Sequence, residues 1–195
     1  MKDYFKELLE ILNHSIESID EDVFEQLVNE CTETLKRGNK IVLSGLGKNV
    51  PVCEKFVGSV VSMGLDACFM NTNSATHGDL GLVHTGDLVI ILTKSGSTTE
   101  SVYLYNLLKQ RDCTIWLLTF KKESVLADQI EKTLVVDLTH EGDKWNILPN
   151  NSTTLNLIVL QMLAMRLAET MDVTLEQFKP NHPGGAIGDM LKDGK

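Results

Sequence analysis

The chain passes from purely apolar to hydroxyl-bearing within a few residues, at Leu88-Val89-Ile90-Ile91-Leu92-Thr93-Lys94-Ser95-Gly96-Ser97-Thr98-Thr99-Glu100. Thr93, Ser95, Ser97 and Thr98 are short donors grouped around one glycine, and behind them Val102, Tyr105, Leu107 and Leu108 recur at helical spacing. A turn between a buried strand and a helix start gathers free backbone N–H groups at the positive end of a helix dipole, which is the chemistry of a phosphate cradle. The same string also makes a plain turn and N-cap, so its neighbours must decide between the two. One neighbour is Ser44-Gly45-Leu46-Gly47-Lys48-Asn49, a tight turn that would carry a lysine to an anion or a sugar oxygen. It fails as a dinucleotide fingerprint because Val50 stands where a third glycine belongs. It fails as a Walker loop because Asn49 follows Gly47-Lys48 and Val42 holds the first glycine's place. The other chemistry-bearing residues are His77, in Ala75-Thr76-His77-Gly78-Asp79-Leu80-Gly81, then Glu141 and His182 in two polar loops.

The elements that must position these groups alternate. Two amphipathic helices, about Tyr4 to Ile19 and Asp22 to Arg37, precede a first strand at Lys40 to Leu43, with Gly38 placed as a C-terminal cap. Asp66 to Met70 reads as the next strand and 71–86 as a long loop. After the central strand and its helix come a strand at Thr114 to Phe120, a helix at Ser124 to Ile130 and a strand at Thr133 to Leu138. Residues 139–151 lack periodicity, and Ser152-Thr153-Thr154 is expected to cap a long helix reaching about Met171. Strands alternating with helices predict an α/β protein, a three-layer αβα sandwich on a five-stranded parallel sheet of flavodoxin-like order. In such a sheet ligands bind beyond the carboxyl ends of the strands, so one site can collect every polar loop just named.

With 195 residues, 43% of them hydrophobic, the chain suits one domain: a helical hairpin over 1–38 and a core over 40–189. A net charge of −9 argues against binding nucleic acid or an anionic membrane, so an anion site has to be positive locally within an acidic molecule. Cys31, Cys53, Cys68 and Cys113 form no metal-ligand or redox pair and read as reduced core thiols of a cytoplasmic protein. No apolar run reaches membrane-spanning length. Leu155 to Met165 is interrupted by Asn156 and Gln161, and the N-terminus lacks the apolar stretch of a signal peptide.

Taken together, Ser44 to Lys48, Ala75 to Gly81, Lys94 to Glu100, Ser152 to Thr154 and His182 to Gly185 resemble, in order and spacing, the motifs of the sugar isomerase (SIS) domain family. Within it the likeness is greatest to bacterial arabinose 5-phosphate isomerases, which interconvert arabinose 5-phosphate and ribulose 5-phosphate. The resemblance implies that Thr93, Ser95, Ser97 and Thr98 hold a sugar phosphate, with Ser44, Gly45, Gly47 and Asn49 adding to the binding turn. It implies a catalytic set of Lys48, His77, Glu100, Glu141 and His182, and a homotetramer. The chain departs from the pattern at Asn49, usually serine, and at Ser97, usually glutamate. It also lacks the cysteine-proline pattern usual after Glu141 and ends shortly after Gly188, where the typical enzyme continues into CBS domains.

Aldose–ketose interconversion through an enediol needs a base near C2, a proton donor for the carbonyl oxygen and a grip on the phosphate, and no metal or organic cofactor. A histidine titrates near neutrality and burial raises a glutamate toward it, so Glu141 or His182 is the expected proton-transfer group, with His77 for ring opening or sugar orientation and Lys48 and Glu100 as site electrostatics. Two rival readings stand on the same scaffold. One is a non-catalytic phosphosugar sensor. The other is an isomerase of a different sugar phosphate, such as a hexulose 6-phosphate.

Overall fold

A computed structural model describes residues 2–192. Five strands, β1 (Ile41–Gly45), β2 (Ala67–Asn71), β3 (Leu88–Thr93), β4 (Thr114–Thr119) and β5 (Thr133–Val135), pair in the order β2-β1-β3-β4-β5, all parallel. That is the direction and order the alternation predicts. The register aligns the carboxyl ends, pairing Gly45 with Leu92 and Thr93 with Thr119, so the turns leaving β1, β3 and β4 emerge side by side.

Alternate strand residues feed two cores, as the pleat requires. Ile41, Leu43, Leu88, Ile90, Trp116 and Leu118 face the thick layer built from α1 (Lys2–Glu17), α2 (Glu21–Lys36), α3 (Asn49–Ser62) and α5 (Asn151–Thr170). Val42, Val89, Ile91 and Leu117 face a thin layer of α4 (Thr99–Leu108) and turns. Short helices α6 (Leu175–Phe178) and α7 (Gly185–Lys192) close the described chain. Among the described residues no helix is long and apolar enough to cross a membrane.

Two expectations need correcting. Residues 124–130 form turns instead of a helix, although Leu126 and Ile130 keep the i, i+4 spacing that suggested one. Its first N–H groups are diverted, Leu126 donating to the Gly96 carbonyl (2.9 Å) and Val125 to Ser97 Oγ (3.3 Å), so the segment braces the hydroxyl loop and only Asp128 and Ile130 make i, i+4 backbone bonds within it. β5 stops at Val135, short of Leu138, because β4 offers pairing partners only to Thr119.

Gly96 is fixed by this brace. Its φ is +62°, and a Cβ there would collide with the Ser124 side chain. Gly96→Ala should therefore cost at least about 1–2 kcal/mol from the left-handed backbone alone, and the collision adds to it. Urea unfolding checks this, and a change under about 0.5 kcal/mol, the scatter of an ordinary surface substitution, would refute it.

Candidate functional site

A cleft of 220 Å³ lies beyond the carboxyl ends of β1 and β3, lined by Leu46 to Asn49, Leu92 to Lys94, Thr98 and Ser101, and Pro149, Ser152 and Thr153. Three helices begin at its wall: α3 after Lys48, α4 after Thr98 and α5 after Asn150. No side chain caps the first turn of α3 or of α4, so both leave backbone N–H groups free toward the cleft, with Glu100 the one acidic residue in these first turns. A larger groove of 570 Å³ runs along α2, but Asp22, Glu25, Glu30 and Glu33 line it, which suits no anion.

The hydroxyl loop is pre-shaped. Thr98 Oγ1 lies 3.3 Å from both Thr93 Oγ1 and Ser95 Oγ, and the Ser97 N–H donates to Ser95 Oγ at 3.2 Å. Ser97 turns away, its own Oγ accepting from Val125. Ser101 lines the cleft with its Oγ buried and no protein partner. At the β1 turn Lys48 is exposed and has no acidic partner among the described residues. Asn49 is held by a 2.9 Å bond from Asn156 Nδ2. Gly45 is small of necessity, since a Cβ there would sit 3.0 Å from the Asn49 Cβ and 3.1 Å from Cys53 Sγ.

Glu141 is the best-anchored group of the site. Its carboxylate is completely buried. Oε1 takes the Lys94 ammonium at 2.5 Å and the Ser152 hydroxyl at 2.7 Å, and Oε2 takes the N–H groups of Asn150 at 3.0 Å and Ser152 at 2.9 Å. Burial, the largest single influence, pushes its pKa up. The Lys94 ammonium and the donors of Ser152 and Asn150 together outweigh it and hold the group below the usual carboxylate range. This reverses the expectation of a raised pKa and also corrects the expected cap. Asn150, not Ser152, is the N-cap of α5, and the Glu141 carboxylate accepts from the Asn150 and Ser152 N–H groups at that helix start. Thr153 and Thr154 spend their hydroxyls on the Asn150 carbonyl.

Of the residues singled out from sequence, Gly47, Lys48, Asn49, Thr93 and Thr98 line the cleft, Ser95 shares its hydroxyl network and Glu141 lies just behind it. Ser44 does not present its hydroxyl there: it is buried and bonded to Thr72 Oγ1 at 2.8 Å. Glu100 is exposed in the first turn of α4, and His77 is exposed on a 3₁₀ turn (Ala75–His77) beyond edge strand β2. His182 lies at the opposite end of the sheet, stacked on Phe178 with ring centroids 3.8 Å apart. Next to it Asn181 donates to the carbonyl of Ser62, the last residue of α3, at 3.2 Å. Since α3 has 14 residues and starts at the cleft, it separates His182 from the cleft by about 21 Å. Lys94, Ser101, Ser152 and Thr153 were not assigned to the site from sequence. Lys94 was legible as a cation inside a hydroxyl loop, whereas Ser152 and Thr153 were read as a helix cap and as part of a family motif, with no site role given to either.

Residues 34–166 match the SIS domain family. The arabinose 5-phosphate isomerase of Pseudomonas aeruginosa is 33% identical over 177 residues, covering 91% of this chain and 54% of the relative. That of Salmonella typhi is 31% identical over 186 residues, covering 95% and 57%. The chain thus spans about half the length of the curated relatives it matches. A solved Escherichia coli CFT073 protein in complex with a sugar-phosphate ligand superposes with a TM-score of 0.85 at 27% identity, covering 93% of this chain and 95% of that one.

The geometry of Glu141 sets a pH dependence. A carboxyl whose folded pKa lies below its unfolded value of about 4.3 stabilises the fold above that value and loses the contribution as pH falls through the folded pKa. Glu141→Gln should cost about 3 kcal/mol at pH 7 and flatten the acid limb of the stability profile below about pH 4. Denaturant melts from pH 3 to 8 measure this. An acid limb as steep as in the parent would show that Glu141 does not carry it.

Proposed function

The chain belongs to the SIS domain family, and from that premise we propose that it is a phosphosugar aldose–ketose isomerase whose substrate pair is D-arabinose 5-phosphate and D-ribulose 5-phosphate. The observation that carries the reading is the cleft. Two uncapped helix starts, the ammonium groups of Lys48 and Lys94 and the hydroxyls of Thr93 and Thr98 converge there, in a chain of net charge −9. Such a site selects a small polyhydroxylated anion. The likeness to arabinose 5-phosphate isomerases supplies the choice of sugar.

In this reading the phosphate rests on Thr93, Ser95 and Thr98 at the start of α4, and the sugar reaches toward Lys48, Asn49 and the first turn of α5. The base takes the proton from the carbon next to the carbonyl, the C–H pair forms the enediolate double bond as the carbonyl pair moves onto oxygen, a proton passes from the neighbouring hydroxyl to that oxygen, and return of the base's proton to the former carbonyl carbon completes the isomerisation. Glu141 is a poor base, because all four acceptor positions of its carboxylate already receive donors. His182 is a chemically suitable base, and the length of α3 means that it can serve the cleft only in a second copy of the chain. The reading therefore carries an oligomer in which one copy grips the phosphate and another brings the histidine.

Turnover on a panel of five- and six-carbon sugar phosphates tests the reaction, with arabinose 5-phosphate expected to be fastest and solvent deuterium to enter at C2. Tight binding of one sugar phosphate without turnover of any would favour a sensor. The division between copies has its own test. Lys48→Ala and His182→Ala should each lower kcat by about a hundredfold or more, and mixing the two variants under subunit exchange should restore a fraction of parental activity. A mixture no more active than its components would put the histidine outside the reaction or within a single chain.

A further inference from the structure

The Lys94–Glu141 pair has no part in the phosphate cradle, and its geometry suits another task. The backbone of Lys94 is pinned, its carbonyl accepting from the Phe120 N–H at 3.2 Å and the Thr119 hydroxyl at 3.3 Å. The side chain leaves the hydroxyl loop and ends against Glu141, beside the first turn of α5, so the ammonium sits across the cleft from the phosphate cradle. The Lys94 side chain keeps 40% of its surface exposed in the cleft, while Glu141 is 0% exposed. One of the three ammonium donors is engaged by Glu141 Oε1, which leaves two for a ligand. Glu141 in turn has no freedom to shift, because Ser152 and the backbone of Asn150 hold both of its oxygens. The outcome is a cation of fixed position, backed by a buried anion and open to the cleft on its α5 side. That is the arrangement expected of a group that stabilises charge developing on an oxygen, since it needs no reorganisation when the charge appears.

We propose that Lys94 is a catalytic residue that hydrogen-bonds the substrate's carbonyl oxygen and the enediolate oxygen formed from it, and that Glu141 is the positioning residue that holds it there. The assignment rests on the isomerase reading given above. In the step it assists, the base takes the proton from the carbon next to the carbonyl and the C–H electron pair becomes the carbon–carbon double bond of the enediolate. The carbonyl electron pair moves onto oxygen, where the Lys94 ammonium meets it. To finish, the hydroxyl proton on the deprotonated carbon passes to the enediolate oxygen, the oxygen it leaves re-forms a carbonyl, and the double-bond pair takes the base's proton at the former carbonyl carbon; Lys94 donates hydrogen bonds without giving up its own proton. Lys48, the other cation of the cleft, comes from the β1 turn and has no buried carboxylate behind it.

The test compares Lys94→Met, Lys94→Arg and the double variant Lys94→Met/Glu141→Gln by kcat and KM on arabinose 5-phosphate and by calorimetric affinity for inorganic phosphate. The double variant leaves no lone charge buried, so it keeps the test valid if Lys94→Met alone fails to fold. The double variant should lose about a hundredfold in kcat, while affinity for inorganic phosphate stays within about threefold of the parent. Lys94→Arg should recover at least about tenfold over methionine, because it restores a donor of like charge. A loss of phosphate affinity with kcat unchanged would make Lys94 a phosphate ligand and overturn the assignment. So would a parental kcat in the double variant. A parent protein inert on every sugar phosphate would instead overturn the isomerase reading, and this role with it.

Discussion

The carboxylate of Glu141 is the most completely buried charge in the described chain, and the arrangement of the site depends on how that charge is satisfied. An ionised carboxylate is costly to bury without partners, and here four donors meet it. Each donor constrains a different piece of chain. Lys94 is drawn from the hydroxyl loop toward α5. Asn150 and Ser152 are fixed as the first turn of α5, and the Asn150 and Asn151 side-chain amides bond back to the carbonyls of Glu141 and His140. One buried charge thus joins the loop after β3 to the loop after β5 and sets the width of the cleft between them.

That closure explains how an acidic molecule presents a cationic site. Most of its carboxylates lie on solvated helix faces or are already paired, as Asp87 is with Lys40 and Glu25 with Arg166. At the cleft the parallel sheet brings the starts of α3, α4 and α5 together, a consequence of topology and not of any single side chain. Glu141 compensates the start of α5 from inside and leaves those of α3 and α4 for a ligand. Two lysines and two uncapped helix starts are thereby grouped at one place in a molecule of net charge −9.

The sheet was readable from sequence because its strands are buried on both faces: Leu88 to Leu92 has no polar residue to accommodate, and its strength survives in the fold. The hydroxyl loop was readable for a related reason, since an abrupt change from apolar to hydroxyl residues ahead of helical spacing has few structural meanings. The segment 124–130 misled because i, i+4 spacing records which residues share a face and says nothing about where the backbone donors go; the neighbouring loop took them. Glu141 misled more deeply. Its type and surroundings suggested a titrating group, but its ionisation is set by Lys94 and Ser152, whose nearness exists only once β3, β5 and α5 are assembled. The remoteness of His182 was unreadable for the same reason, because it follows from the length and direction of α3 and not from any residue near position 182.

These observations divide the site into two parts of different physical origin. In the proposed function the grip on an anion comes from helix starts, backbone N–H groups and small hydroxyls, set by turns kept tight at Gly45 and Gly96. The chemistry has to come from long side chains placed on loops, and within one chain those side chains are scattered: Lys48 and Lys94 in the cleft, Glu141 behind it, His77 at the sheet edge and His182 at the far end. A scaffold built this way can lose its reaction and keep its ligand, since the groups that bind and the groups that react share few atoms. Likeness of fold therefore attests the scaffold and not the turnover. What argues for an enzyme here is a side chain more costly than binding requires: Lys94 leaves the hydroxyl loop to be held by a fully buried carboxylate beside the first turn of α5.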